Sequence, residues 1–266
     1  MIHALRGKRV LLTGAAGGIG GAALKELEAQ GAKVVGIDLR AADGIIAADV
    51  RDPESVRAAV AEGVARLGGL DILVNCAGIG TVQDAGEMPD EETRRTIDIN
   101  LMGPWVTTAA AMPHLVASRG HVVTVTSVLA VTTTPFSAAY SASKHGLDAW
   151  ASSLRMEYDG RVSVTTIRPG YIKTAIHDRP ATRGVSLDGV TNVDTVEQAA
   201  RAIARACTHR PRTLTTSRAT GFSIFMAQHF PALVERVIVR GGRRRALALQ
   251  PLPAQEQQAT RSVPSK

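Results

Sequence analysis

Tyr140 and Lys144 stand four residues apart in SAAYSASKHGLDAW (residues 137–150), separated only by Ser141, Ala142 and Ser143. Residues at i and i+4 share a helix face, so the phenol and the ammonium can approach one another. A cation near a phenol favours the phenolate, which makes such a pair a device for exchanging a proton. An isolated Y-x-x-x-K is more often an exposed aromatic beside a solvated lysine, so other parts of the chain must supply the reason. TGAAGGIG (13–20) supplies one. Its glycines let a turn adopt conformations closed to other residues and let backbone approach a pyrophosphate, with a helix N-terminus behind it.

Asp38 follows, 18 residues after Gly20. A carboxylate at the end of a second strand accepts hydrogen bonds from ribose hydroxyls and repels a 2′-phosphate. Leu39 comes next, and Gly17 brings no positive charge to the turn; Arg40 is the one residue placed to meet a phosphate. The pattern favours NAD over NADP, the plainer alternative for Asp38 being a strand-end cap.

The elements that must position these groups are legible as apolar runs. KRVLLTG (8–14), AKVVGID (32–38), GIIAADV (44–50), LDILVNCAG (70–78), GHVVTVTS (120–127) and RVSVTTIRPG (161–170) read as buried strands. Near-continuous apolar character, rather than strict alternation, is what a parallel sheet covered on both faces requires. Residues 20–31, 53–68, 88–116 and 137–158 are long enough for crossover helices. The expected fold is α/β: a single Rossmann-type doubly wound parallel sheet flanked by helices on both faces. A catalytic domain over 1–220 is expected, including a polar loop at 171–193 that would govern substrate choice. Within it, Asp194 is the expected N-cap of a helix over 194–207, with Glu197 completing a capping box. RTLTTS (212–217) would be a last edge strand. A long helix is expected over 221–239, in an apolar and basic segment running to 245 that packs on or beside the body. The Pro/Gln-rich tail at 246–266 is expected to be disordered.

Composition excludes several classes. The 266 residues are 45% hydrophobic and 21% charged, as in a soluble globular protein. Two distant cysteines, Cys76 and Cys207, and seven scattered histidines give neither a disulfide scaffold nor a metal-ligand spacing. No signal-peptide pattern opens the chain, so a cytoplasmic location is expected. Residues 1–200 carry 19 basic against 22 acidic groups, whereas residues 201–266 carry 12 against 2. Such a run is usually a solvated face, and otherwise a contact with an anionic surface. Residues 221–239 hold too many polar groups for a bilayer span.

Taken in order, TGAAGGIG, Asp38, Asp49–Val50, NCAG (75–78), Asn100, Ser127, YSASK (140–144) and PGYIKT (169–174) make the chain resemble a short-chain dehydrogenase/reductase. The resemblance spans residues 8 to about 175 and implies a nicotinamide-dependent oxidoreductase. It implies that Tyr140 exchanges the proton with the substrate oxygen, its acidity raised by Lys144 and by the oxidised nicotinamide. Ser127 would donate to the reacting oxygen, with alternation sending it, and not Thr126, to the site. Asn100 would hold a water that relays protons from Lys144. Cofactor contacts would come from Gly14, Gly17, Gly18, Ile19, Gly20 and Asp38, with Asp49 and Val50 at the adenine. Asn75, Ala77 and Gly78 would form the adenosine-side wall, Lys144 would bond the nicotinamide ribose, and Pro169, Gly170, Ile172 and Thr174 would hold the carboxamide. Cys76 replaces an asparagine frequent in the family, without touching a catalytic role.

The expected substrate is a secondary alcohol or ketone. Val128, Leu129, Val131, Pro135 and Phe136 beside the catalytic pair suggest a lipophilic one. The C-terminal helix with RGGRRR is similar to tails of family members acting on steroids, retinoids and other lipophilic alcohols. Alternatives are a polar substrate such as a polyol or an acyl ketone, or a nucleotide-sensing protein that has lost turnover. The resemblance further implies a homodimer or homotetramer through the helices holding Asn100 and Tyr140. No nucleic-acid partner is expected. Peripheral membrane contact through 221–245 is compatible with catalysis.

Overall fold

The computed structural model describes residues 4–172 and 193–246; Thr174, most of the 171–193 loop and residues 247–266 lie outside the described residues. The chain alternates β1 (Arg9–Thr13), α1 (Gly18–Ala29), β2 (Lys33–Asp38), β3 (Ile45–Ala47), α2 (Pro53–Leu67) and β4 (Ile72–Asn75). Next come α3 (Glu91–Ile97), a π turn (Asp98–Met102), α4 (Gly103–Ser118), β5 (His121–Val125), α5 (Ala138–Glu157) and β6 (Ser163–Arg168). The short β7 (Tyr171–Ile172) and β8 (Val193–Asp194) precede α6 (Val196–His209), β9 (Thr213–Thr215), α7 (Arg218–His229) and α8 (Pro231–Ala246).

Seven strands form one sheet in the order β3-β2-β1-β4-β5-β6-β9, and every neighbouring pair is parallel. The strands read as continuous apolar runs because both faces are covered, yet successive residues still part company. Leu11, Leu73 and Val122 pack with α2, α4 and α5. Their neighbours Val10, Leu12, Ile72, Val74 and Val123 pack with α1 and α6. Period-two alternation therefore assigns each side chain to a layer even though all are buried. The order reverses between β1 and β4, the switch point at which such sheets open a crevice beyond their carboxyl ends.

Local chemistry sets the boundaries. α2 starts at Pro53 behind the Asp52 carboxylate, which accepts from the Glu54 N–H, and stops at Gly68 in the left-handed region. α5 buries Lys144, Leu147, Ala151 and Leu154, a repeat of three and four residues that lays one face on the sheet.

Three expectations are corrected. The stretch 88–116 is two helices joined by the π turn that contains Asn100. The N-cap of α6 is Thr195, whose capping-box partner is Gln198; Asp194 lies in β8, paired with Ile172. The segment 221–239 breaks at Phe230 into α7 and α8, bent by 113°, because Pro231 has no N–H to continue the first helix. Among the described residues no single helix is long and apolar enough to cross a membrane.

Candidate active site

The chain leaves β1 through Gly14, at φ 73°. A Cβ on Gly14 would come within 2.8 Å of the Ala77 backbone, and one on Gly20 within 1.9 Å of the Gly14 carbonyl oxygen. Both positions are thus closed to side chains by backbone, not by mobile groups. Gly17 is the N-cap of α1, and no side chain caps its first turn. With Gly18, Ile19 and Gly20 in that turn, the helix presents backbone donors and the positive end of its dipole to the crevice. The Thr13 hydroxyl accepts from the Cys76 and Ala77 N–H groups, each at 3.2 Å, and locks the ends of β1 and β4 together.

Asp38 sits at the end of β2, half-buried. Its carboxylate accepts from Ala16 N–H at 2.9 Å and from Leu39 N–H at 2.8 Å. It therefore does serve as a strand-end cap. A carboxylate has room for about four donors, so this does not consume its capacity for ribose hydroxyls. Asp49 is held by Arg51 at 2.5 Å; the arginine's hydrogen bonds hold that carboxyl below the usual range despite partial burial. Val50 is buried beside it, so close to Gly103 that a Cβ there would come within 2.9 Å. On the facing wall, Asn75 is buried and donates to the Thr108 hydroxyl at 2.9 Å, while its Oδ1 finds no partner among the described residues. Burial pushes the Cys76 thiol up to about 12, which makes it inert as a nucleophile.

The chemical end of the site lies at the carboxyl end of β5. Lys144 is buried, and its amine donates to the Val125 carbonyl at 3.1 Å. That amine lies 5.7 Å from the centre of the Tyr140 ring, so the two heads do share a side of α5. Burial lowers the Lys144 pKa to about 8. Burial raises the phenol above its ordinary value near 10, and it is the Ser127 hydroxyl that works against this rise. Both groups resist charging for one reason, the removal of water from around them.

Ser127 has extended backbone and caps a short 3₁₀ turn, Val128–Ala130, by accepting from the Leu129 N–H at 3.1 Å. That bond leaves its own hydroxyl hydrogen to donate. Thr126 points elsewhere: its hydroxyl donates to the Ile167 carbonyl at 2.9 Å. Asn100 is fully buried and grips the loop after β4 in both directions. Its Oδ1 accepts from the Ile79 N–H at 2.8 Å, and its Nδ2 donates to the Ile79 carbonyl and the Ser143 hydroxyl. A Cβ on Gly78 would come within 3.2 Å of that Oδ1 and 3.5 Å of the Lys144 amine.

Pro169 and Gly170 follow β6. The Pro169 carbonyl accepts from the Val128 N–H at 2.7 Å, which ties this turn to the residue after Ser127. Gly170 donates to the Asp194 carboxylate at 3.0 Å, and Ile172 is buried in β7. Sequence reasoning missed Asp194 here by making it a helix cap. The signal was present: T-V-E-Q (195–198) satisfies the capping-box pattern one residue later and leaves the aspartate for another purpose.

The model of the short chain dehydrogenase family matches residues 8–183. Dehydrogenase/reductase SDR family member 7B of Mus musculus is 33% identical over 217 residues, 73% of this chain and 66% of that protein's length. Oxidoreductase UcpA of Escherichia coli is 34% identical over 187 residues, 64% of this chain and 71% of its own. Among solved structures, the aldohexose dehydrogenase AldT of Thermoplasma acidophilum superposes with a TM-score of 0.74 at 25% identity, covering 84% of this chain and 97% of that one. A doubly wound sheet with its glycine turn at the switch point, matched over most of its length by these relatives, places the chain in the short-chain dehydrogenase/reductase family of oxidoreductases.

Proposed function

We propose that this protein transfers hydride between NAD and a secondary alcohol or ketone, with a preference for lipophilic substrates. The observation that carries the reading is the convergence of Ser127, Tyr140 and the buried Lys144 amine at the carboxyl end of β5, beside a glycine cradle. The cradle fits a dinucleotide, since it is walled by backbone that any Cβ would meet. Gly14, Gly17, Gly18, Ile19 and Gly20 would hold the pyrophosphate, and Asp38 the ribose hydroxyls. Asp49 and Val50 would flank the adenine, with Asn75, Ala77 and Gly78 along the wall. Pro169, Gly170, Ile172 and Thr174 would hold the carboxamide.

When bound, NAD supplies the hydride acceptor and, in its oxidised form, a positive ring. In this mechanism Tyr140, as the phenolate, takes the proton of the substrate alcohol and becomes the neutral phenol, and in the reverse direction that phenol gives its proton to the carbonyl oxygen. Ser127 donates to the same oxygen and stabilises its developing charge. Lys144 would bond the nicotinamide ribose and exchange its proton with a water held at Asn100. The raised acidity barrier of Tyr140 gives the oxidised cofactor's charge a purpose: it offsets the desolvation that keeps the phenol neutral.

The substrate side is apolar: Val128 and Leu129 pack with Ile224 of α7, and Val131 and Tyr140 lean on the same cluster. The likeness to an aldohexose dehydrogenase supports a rival, a polyhydroxylated substrate. A panel of sugars, polyols, long-chain and polycyclic alcohols with NAD and NADP separates the two. Faster turnover of polyols than of long-chain or polycyclic alcohols overturns the lipophilic assignment. Binding of NAD with no turnover on any alcohol would favour a nucleotide sensor.

Exposed Met102, Trp105, Val116 and Met156 on and beside α4 and α5 support a homodimer or homotetramer through those helices. Sedimentation equilibrium of Trp105→Glu against the native protein tests it. From Phe230, just before α8, through Leu233, Val234, Val237 and Ile238 within it, apolar residues recur at helical spacing; three are exposed and two half-buried. With five arginines and one glutamate over 231–245, that stripe suits an anionic membrane surface on a protein otherwise free in the cytoplasm. Sedimentation with anionic vesicles at low and high salt decides it.

A further inference from the structure

The buried carboxylate of Asp194 gathers donors from the turn after β6 and from the stretch that runs from β9 into α7. Its Oδ2 accepts from the Gly170 N–H at 3.0 Å, from the Thr220 hydroxyl at 2.7 Å, and from the Thr216 hydroxyl. Thr216 also accepts from the Gly170 N–H at 3.2 Å, closing the cluster. The aspartate is 3% exposed, so these bonds replace its hydration. Burial opposes the charge, but the bonds from Thr216, Thr220, Ser217 and Gly170 outweigh it and hold the carboxyl below its ordinary range.

The geometry at Gly170 is set by this carboxylate. A Cβ there would come within 2.6 Å of Asp194 Oδ2 and 2.6 Å of Thr220 Oγ1. The turn is therefore drawn tight against Asp194. On its other side the Pro169 carbonyl is fastened to Val128, next to Ser127. Two bonds on opposite sides thus fix the height of the Pro169–Gly170 peptide over the end of β6. The pairing of Ile172 with Asp194 carries the same constraint into β7.

We infer that Asp194 is a positioning residue for the nicotinamide end of the cofactor, acting through the Gly170 N–H without touching the cofactor itself. This rests on the dinucleotide reading of the crevice given above. The adenosine end is built from β1, β2 and β4 and has no bond to Asp194. Loss of the carboxylate should therefore be felt by a ligand that carries nicotinamide and not by one that stops at ADP-ribose.

Binding of NADH and of ADP-ribose is measured by calorimetry on the full chain and on Asp194→Asn. In the variant an NH₂ replaces an oxygen, and it cannot accept from the cluster. NADH should weaken about tenfold, the size of one charge-assisted hydrogen bond, with ADP-ribose within twofold of the native protein. A general loss of structure would weaken both alike, and that parallel loss overturns the inference, as does no change in either. Thr220→Val removes a single donor and keeps Gly170 bound; it should shift NADH in the same direction by a smaller factor. It serves as the test if Asp194→Asn does not fold, with an unshifted ratio again overturning the inference. If the native protein binds neither ligand, the dinucleotide reading itself fails and takes this inference with it.

Discussion

The two ends of β5 make opposite uses of the same physics. At its amino end His121 is fully buried, its Nε2 bonded to the Thr165 hydroxyl at 2.9 Å. Thr165 in turn donates to the Pro211 carbonyl, so the Nε2 must carry the hydrogen and donate. Its Nδ1 has no partner among the described residues. Burial, helped by Arg210, lowers the His121 pKa to about 3. At the carboxyl end, burial lowers Lys144 to about 8 and raises Tyr140. Desolvation perturbs all three, so a displaced pKa does not mark a catalytic group. The difference is surroundings: His121 is sealed between β5, β6 and the chain at Pro211, whereas Tyr140 and Lys144 border a crevice walled by glycine.

The strongest way to break this contrast is Tyr140→Phe. It should cost roughly a thousandfold or more in turnover, because proton transfer loses its agent, while thermal stability hardly moves. Steady-state rates and a melting curve on the same preparation check both halves. A variant retaining a tenth of the activity would remove Tyr140 from the mechanism.

The next effect concerns stability against pH at the amino end. His121 has a folded pKa near 3 against an ordinary value of 6.5, so between these the unfolded chain binds more protons. Unfolding free energy should therefore rise with pH across that window, and fall on acidification, by up to about 1.4 kcal/mol per pH unit from this group. His121→Leu should flatten the slope between pH 6 and 4 and leave kcat alone. Urea titrations at several pH values give the answer; an unchanged slope would mean His121 takes up its proton in the folded state.

Lys144 repeats the sign in another window. Its folded value of about 8 lies below the ordinary 10.5, so its contribution should rise between pH 8 and 10. Above 10 the raised Tyr140 acts in the opposite direction, since the unfolded phenol then loses its proton first. Lys144→Met should flatten stability between pH 8 and 10, and unlike His121→Leu it should also lower turnover. Loss of the slope without loss of rate would make the two ends of β5 alike.

The smallest expected change is one of selectivity. On the proposed NAD reading, Asp38→Ala removes a carboxylate that would repel a 2′-phosphate and should narrow the preference for NAD over NADP by about tenfold. The ratio of kcat/KM for the two cofactors measures it, and an unchanged ratio would leave Asp38 as a strand-end cap for Ala16 and Leu39.

Much of this was legible in the chain. Residue spacing alone placed Tyr140 and Lys144 on one side of a helix, because the α-helical period is a local property. The glycine turn announced itself because glycine alone takes the φ of Gly14 without strain, and no side chain fits the contact at Gly20. Apolar runs of strand length, separated by helix-length stretches, dictated the parallel sheet. Tertiary structure decided what depends on distance through space. The burial that raises Tyr140 comes from the elements packed around α5, which its own sequence neighbours do not reveal. The purpose of Asp194 depends on Gly170, Thr216 and Thr220, and the nearest of these in sequence is 22 residues away. The break at Phe230 leaves α7 against the apolar cluster beside Tyr140 and α8 outside it. Local periodicity and backbone sterics are written along the chain, whereas solvation and charge are set by whatever folding brings alongside.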